Sequence, residues 1–169
     1  MALPKILKNM NTFGDGDSWL GQVSEFTPPK IARKFEDYQG AGMDSPVKID
    51  MGGQALECEF KTGGRLPALA LKVGMQKIDG TLLRFLGAFQ SDDTGQVTKA
   101  EIVVRGRIEE LDRGTWKVGE KGEETVKMQL NYYKEIENGR TLVEIDVLAM
   151  KYIVGGVDIL AAQRAALEI

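Results

Sequence analysis

Apolar and polar residues alternate with a period of two along most of this chain, the pattern of strands that rest one face on a core and turn the other to water. The longest run covers residues 123–136. Glu124, Val126, Met128, Leu130, Tyr132 and Ile136 fall on one side, and Glu123, Thr125, Lys127, Gln129, Asn131, Tyr133 and Glu135 on the other. Asn138-Gly139, the strongest short hairpin signal, comes next. The chain then returns through Val143, Ile145, Val147 and Ala149, alternating with Glu144, Asp146 and Leu148. A second hairpin joins 81–90 to 96–111 around Asp92-Asp93-Thr94-Gly95. In its return strand Ile102, Val104, Gly106 and Ile108 share one face, and Glu101, Arg105, Arg107 and Glu109 make the other. Shorter strands are expected at 5–13, 19–26, 31–38 and 55–61.

Two segments follow the helical period instead. Pro67 suits a first helical position, and Leu66, Leu69, Ala70 and Val73 recur at helical spacing before Gly74. After Gly155-Gly156, Asp158 is a candidate cap for a helix over 159–167, supported by Ala161, Ala162, Ala165 and Ala166. The expected fold is therefore mainly β, a sandwich or barrel with one packed α-helix and a short C-terminal helix.

The segment 40–53 stands apart. Gly40, Ala41, Gly42, Met43 and Asp44 cannot hold a helix, and Val47, Ile49 and Met51 then alternate with Lys48 and Asp50 as in a strand. It reads as a long arm ending in β structure. Nothing fixes its side chains for catalysis, but it suits a subunit that reaches a neighbour and adds surface to it. Gly40, Ala41, Gly42, Met43, Asp44, Val47, Ile49 and Met51 are accordingly the candidates for contact between subunits.

Composition narrows the function. The 169 residues make one domain, 1–169, with 43% hydrophobic and 28% charged residues. Residues 1–10 interrupt their apolar positions with Pro4, Lys5 and Lys8, and no stretch approaches the roughly 20 apolar residues of a membrane helix. The expectation is a chain neither exported by a cleaved signal nor membrane-spanning. Cys58, the single cysteine, lies between Leu56 and Phe60 on one side of a strand and reads as a core residue of a protein folding in a reducing compartment. With 22 basic against 25 acidic residues the net charge is −3, which predicts weak or no affinity for nucleic acid. Histidine is absent, and with it the usual general base and the commonest metal ligand.

Short motifs add little chemistry. Asp93-Thr94-Gly95 matches the signature triplet of aspartic proteases, yet between two amphipathic strands it is ordinary turn chemistry. Asp15-Gly16-Asp17-Ser18 begins like a calcium loop but lacks the third aspartate, the later glycine and the closing glutamate. The glycines of 114–122 precede no Gly-Lys-Ser or Gly-Lys-Thr and make no phosphate loop. Trp19 and Trp116 are candidates for core, interface or stacking on a base or sugar. The row Glu101, Arg105, Arg107 and Glu109 is a solvated face or one side of a polar subunit contact. No catalytic, cofactor or metal constellation emerges, and the chain is not expected to be an enzyme.

A resemblance runs along nearly the whole length. Leu3-Pro4-Lys5 with Asn11-Thr12-Phe13, Pro29-Lys30 with Lys34 and Tyr38, Gly40-Ala41-Gly42-Met43-Asp44 and Ile49-Asp50-Met51-Gly52 carry its first half. Arg105-Gly106-Arg107, Lys117-Val118-Gly119-Glu120-Lys121, Tyr132-Tyr133-Lys134, Val143-Glu144-Ile145-Asp146 and Gly155-Gly156-Val157-Asp158 continue it. With these residues the chain resembles the major tail tube proteins of contractile-tailed phages and the tubes of R-type pyocins. Asp92-Asp93-Thr94-Gly95 leans toward the phage members and Gly114-Thr115-Trp116-Lys117 toward the pyocin members.

The resemblance implies a structural protein without cofactors, made and assembled in the bacterial host cytoplasm as part of a virion tail or tail-like particle. Its implied partners are its own copies, in hexameric rings stacked into a hollow tube, then the sheath, baseplate and tail terminator proteins. A tape measure protein and DNA would occupy the lumen without specific binding. Lumen or polar-face candidates are Glu101, Arg105, Arg107 and Glu109, or Thr125, Lys127, Gln129 and Asn131. Long amphipathic strands with open edges point the same way, since a head-to-tail contact closes a ring and a second one propagates a stack. The alternatives are a β-barrel that binds a small ligand and the related tube of a type VI secretion system.

Overall fold

The computed structural model describes residues 2–169. In chain order the elements are β1 (Lys5–Gly14), β2 (Asp17–Ser18), β3 (Val23–Thr27), β4 (Arg33–Tyr38), β5 (Val47–Gly53), β6 (Leu56–Thr62), α1 (Pro67–Lys72), β7 (Thr81–Ser91), β8 (Val97–Asp112), β9 (Glu124–Glu137), β10 (Arg140–Asp146), β11 (Lys151–Val154), β12 (Val157–Asp158) and α2 (Ala161–Ala166). Both long hairpins form where alternation and turn chemistry place them. At the second turn Asn138 and Gly139 have φ of 48° and 81°, the left-handed pair that matches the twist of the flanking strands. The expected strand at 19–26 is shorter, because residues 19–22 turn between β2 and β3.

All the strands except β4 and β5 belong to one ten-stranded antiparallel sheet that folds into two layers. The first half of β9 pairs with β6 and its second half with β10, while β8 flanks both halves. One layer is therefore β3-β6-β9-β8, made with the first half of β9 and the second half of β8. The other runs from β2 through β1, β7, β8, β9 and β10 to β12. Phe26 of β3 stacks on Phe85 of β7 with ring centroids 3.6 Å apart, and Phe60 of β6 meets Phe85 edge-on at 5.8 Å. Trp19, Cys58, Leu83, Val104, Val126 and Met128 complete the core. The space between the layers is filled by side chains.

The partner change of β9 sits at a bulge. Gly106 pairs with Leu130 and Arg105 with Tyr132, so Asn131 is an extra residue. It reverses the facing of everything after it. Glu124, Val126, Met128 and Leu130 are buried before the bulge, and Asn131 and Tyr133 after it. Strict alternation assigned Asn131 and Tyr133 to the polar face and Tyr132 to the apolar one, and the bulge corrects all three. The Tyr132 hydroxyl instead donates to Glu144 Oε1 at 2.9 Å. Gly106 makes the crossing possible, since a Cβ there would lie 2.0 Å from the Gln129 carbonyl oxygen.

Helix α1 lies where Pro67 and Gly74 bracket it, with Leu66 and Leu69 buried in the core. The Leu66 N–H donates to the buried Glu124 carboxylate at 3.1 Å, tying the helix start to β9. Helix α2 begins later than 159 and buries none of its residues. Asp158 is not its N-cap residue, a position held by Leu160. The Asp158 carboxylate accepts the Leu160 N–H at 3.1 Å and pairs with Arg164 at 2.6 Å, which holds its carboxyl below the usual range. Among the described residues no helix is long and apolar enough to cross a membrane.

Gly106→Ala forces a backbone shift at this crossing. Chemical denaturation should show a loss of about 1–3 kcal/mol. Unchanged stability would mean that the two strands separate there without cost.

Candidate functional site

Four surface features are built by these elements, beginning with the outer face of the four-stranded layer. Its strands place polar residues opposite one another in rows. Glu25 of β3 faces Lys61 of β6, Lys61 faces Thr125 of β9, and Thr125 faces Asp112 of β8. Thr27, Glu59, Lys127 and Glu110 form the next row, and Glu57, Gln129 and Arg107 the third. Lys61 lies 3.1 Å from Glu25 and Lys127 lies 3.8 Å from Glu110. The Gln129 amide donates to Glu109 at 2.6 Å and to Glu57 at 3.4 Å. The face carries the carboxylates of Glu25, Glu57, Glu59, Glu109, Glu110 and Asp112 against the cations of Lys61, Arg107 and Lys127, so it is net acidic.

Parts of the two expected polar rows thus meet on one face: Arg107 and Glu109 from one, Thr125, Lys127 and Gln129 from the other. Glu101 and Arg105 lie farther along β8, beside β7 and the second half of β9. Arg84 pairs with Glu101 and holds its carboxyl below the usual range, and Lys99 adds a contact at 3.6 Å. Asn131 is buried and leaves the polar-face set, because the bulge turns it inward. Sequence reasoning passed over Glu25, Glu57, Glu59, Lys61 and Glu110 as face residues. The alternation of Glu57, Glu59 and Lys61 with Leu56, Cys58 and Phe60 was the available signal, but only strand pairing puts them beside Lys127 and Gln129.

The second feature is the pair of edges of that layer. Among the described residues, β3 has β6 on one side and no strand on the other, and β8 beyond Gly106 has only β9. Four antiparallel strands alternate in direction, so these two open edges run opposite ways.

The arm is the third feature. β4 and β5 pair only with each other, forming a separate two-stranded sheet. Tyr38 opposite Val47 and Glu36 opposite Ile49 put Tyr38, Val47, Ile49 and Met51 on one side, all exposed. Asp37 and Lys48 pair at 3.4 Å on the other. At the root Arg33 pairs with Asp50 and lies 5.7 Å from the Tyr152 ring. That Arg33 contact, with the Gly52 N–H, holds the Asp50 carboxyl below its ordinary range. At the tip Ala41 and Asp44 are exposed and Gly42 has φ of +85°. Met43 is half-buried there, and the Gly40 N–H donates to its sulfur at 3.2 Å.

The fourth feature is a groove of about 810 Å³ between the arm root, β10, β11 and α2. Ile31, Leu56, Leu130, Ile145, Leu148 and Leu160 line it, together with Asn131, whose side-chain amide has no hydrogen-bond partner.

Asp93 lies in an exposed turn, where Ser91 lowers its carboxyl and the Leu3 N–H donates to it at 3.2 Å. Asp15 pairs with Lys72 and accepts the Leu82 N–H at 3.0 Å. Cys58 is buried, and burial pushes its thiol up to about 12. Trp19 packs on Phe60 in the core, whereas Trp116 is exposed.

Solved structures of similar shape come from contractile injection systems. A chain of the sheath–tube complex of the extracellular contractile injection system PVC, in its extended state, aligns with a TM-score of 0.58 at 8% identity, over 79% of this chain and 91% of that one. The tube-terminating cap of the anti-feeding prophage aligns with a TM-score of 0.59 at 10% identity, over 80% and 93%. Such identities establish a common fold. Sequence relatives say more. The tail tube protein of Escherichia phage P2 is 38% identical over 167 residues, 97% of either chain. The major tail tube protein of Serratia phage KSP20 is 39% identical over 154 residues, 90% of this chain and 88% of the other. The profile of the family Phage tail tube protein FII matches residues 4–167, and the chain belongs to that family.

Proposed function

We propose that this chain is the structural subunit of the inner tube of a contractile tail, and that its copies close into hexameric rings through the two open edges of the four-stranded layer. The observation that carries this reading is the layer itself. Its edges run in opposite directions, so β8 of one copy meets β3 of the next as an antiparallel pair. A head-to-tail contact repeated around an axis closes a barrel and removes both open edges of this layer. The outer face of the layer becomes the wall of the bore. Its excess of carboxylates repels phosphates instead of holding them, so DNA passes without specific binding.

The arm supplies a second contact. An isolated two-stranded hairpin is marginal in water, and Tyr38, Val47, Ile49 and Met51 have no partner surface within the subunit. Docked on an adjacent subunit or the next ring, each large apolar side chain contributes roughly 1.5–3 kcal/mol before ordering costs of about 1–2 kcal/mol per residue. The relatives in contractile systems support a sheath around this tube and a baseplate beneath it, and a role without catalysis.

Three measurements test this reading. Hydrogen exchange on dispersed subunits should show fast amides along the free edges of β3 and the second half of β8. On assembly these should slow by roughly a hundredfold, and unchanged exchange would rule out edge pairing. Glu57→Lys combined with Glu59→Lys should leave tubes intact and slow DNA passage several-fold. If passage kept its normal rate, this face would not line the bore. Ile49→Asp, at an exposed position, should give a folded subunit that fails to polymerise. Full-length tubes from that variant would reduce the arm to an ordinary surface hairpin.

A further inference from the structure

The four-stranded layer has two ends, and they carry different chemistry. At one end Asp112 and Glu124 lead into the loop 113–123, which exposes Trp116 at 62% and Val118 completely. At the other end lie Leu56, Leu130 and the apolar groove. Glu124 and Leu130 are six positions apart on β9, about 20 Å of strand at ~3.3 Å per residue. No described residue of the loop lines the groove of its own subunit.

We propose that the loop around Trp116 of one copy seats in the groove of another copy in the next ring. This rests on the tube reading above. In a closed barrel the strands tilt by about 40°, so their two ends open on opposite mouths, and stacked rings bring the loop end of one against the groove end of the next. Opposite faces that differ and fit each other make a contact that propagates along one axis.

The chemistry of the two surfaces matches. The loop offers a large aromatic and a valine, and its intervening Lys117 pairs with Glu120 at 2.8 Å. The groove is lined mainly by aliphatic side chains; of its charged residues, Arg33 pairs with Asp50 and Asp146 lies opposite Lys151 across β10 and β11. Its wall also holds Asn131, 6% exposed and without a hydrogen-bond partner. A buried tryptophan N–H usually finds a hydrogen-bond partner, and the groove lining offers polar side chains, Gln54 and Gln163 among them. Tryptophan is also, with tyrosine and arginine, enriched among the few residues that dominate an interface.

The test compares ring formation with stacking. Trp116→Ala removes an exposed side chain and should leave the circular dichroism spectrum and ring closure unchanged. Ring-to-ring association should weaken about 30-fold, the loss expected for one dominant interface side chain, leaving single rings or short stacks in negative-stain images. A double variant, Trp116→Cys with Leu148→Cys, should form a ladder of disulfide-linked subunits on mild oxidation of assembled protein. Cys58 is buried and does not compete. Tubes of normal length from Trp116→Ala, or assembled double variant without a ladder, would overturn this contact and leave the tube reading standing. Failure of the unaltered chain to form rings or tubes would overturn both.

Discussion

The rest of this structure depends on the close crossing of β8 and β9 at Gly106 and Asn131. Two strands of 16 and 14 residues are too long to serve one layer of a small sandwich. They serve two instead, and β9 exchanges β6 for β10 at the point where the extra residue breaks the register. Gly106 lets the Gln129 carbonyl approach closer than any side chain would allow. Because the same two strands run through both layers, the layers cannot be separated without breaking their longest ladder. Phe26, Phe60 and Phe85 fill the space so enclosed.

That arrangement leaves one layer unfinished. β8 outruns β7 by the length of its second half, so its last residues have a neighbour on one side only, and β3 on the far side of the layer is equally bare. Each of these edges carries one bulged residue, Ser24 on β3 and Glu109 on β8, and neither contains a proline. An edge left open at both ends of an antiparallel layer is complementary to another copy of itself. The polar face between those edges is stabilised within the subunit by cross-strand pairs such as Lys61 with Glu25 and Lys127 with Glu110. It does not need a partner to satisfy its charges, which suits the wall of a water-filled bore.

The surfaces proposed to join copies lie apart from the core. The arm root is fixed by Arg33 on Asp50 and Tyr152, while its apolar face stays free. The loop that exposes Trp116 joins the ends of β8 and β9, the two longest strands. On the proposed reading the open edges of the layer are already in place in the free subunit, and the ordering cost of association falls mainly on the arm.

Much of the fold was legible in the sequence. Alternation over 124–130, the Asn138-Gly139 turn and the Asp92-Asp93-Thr94-Gly95 turn fixed both long hairpins, because period and turn chemistry act between neighbours in the chain. Pro67 and Gly74 bracketed α1 for the same local reason. The arm, too, was visible as glycines followed by Val47, Ile49 and Met51. The bulge at Asn131 was not, because an extra residue is defined only by what lies opposite it. Alternation read straight through therefore put Asn131 and Tyr133 on the wrong face. The meeting of Arg107, Glu109, Lys127 and Gln129 with Glu57 and Glu59 was equally invisible, since it depends on which strands pair. Local pattern chose the strands, and long-range pairing decided which faces and which edges they turn outward.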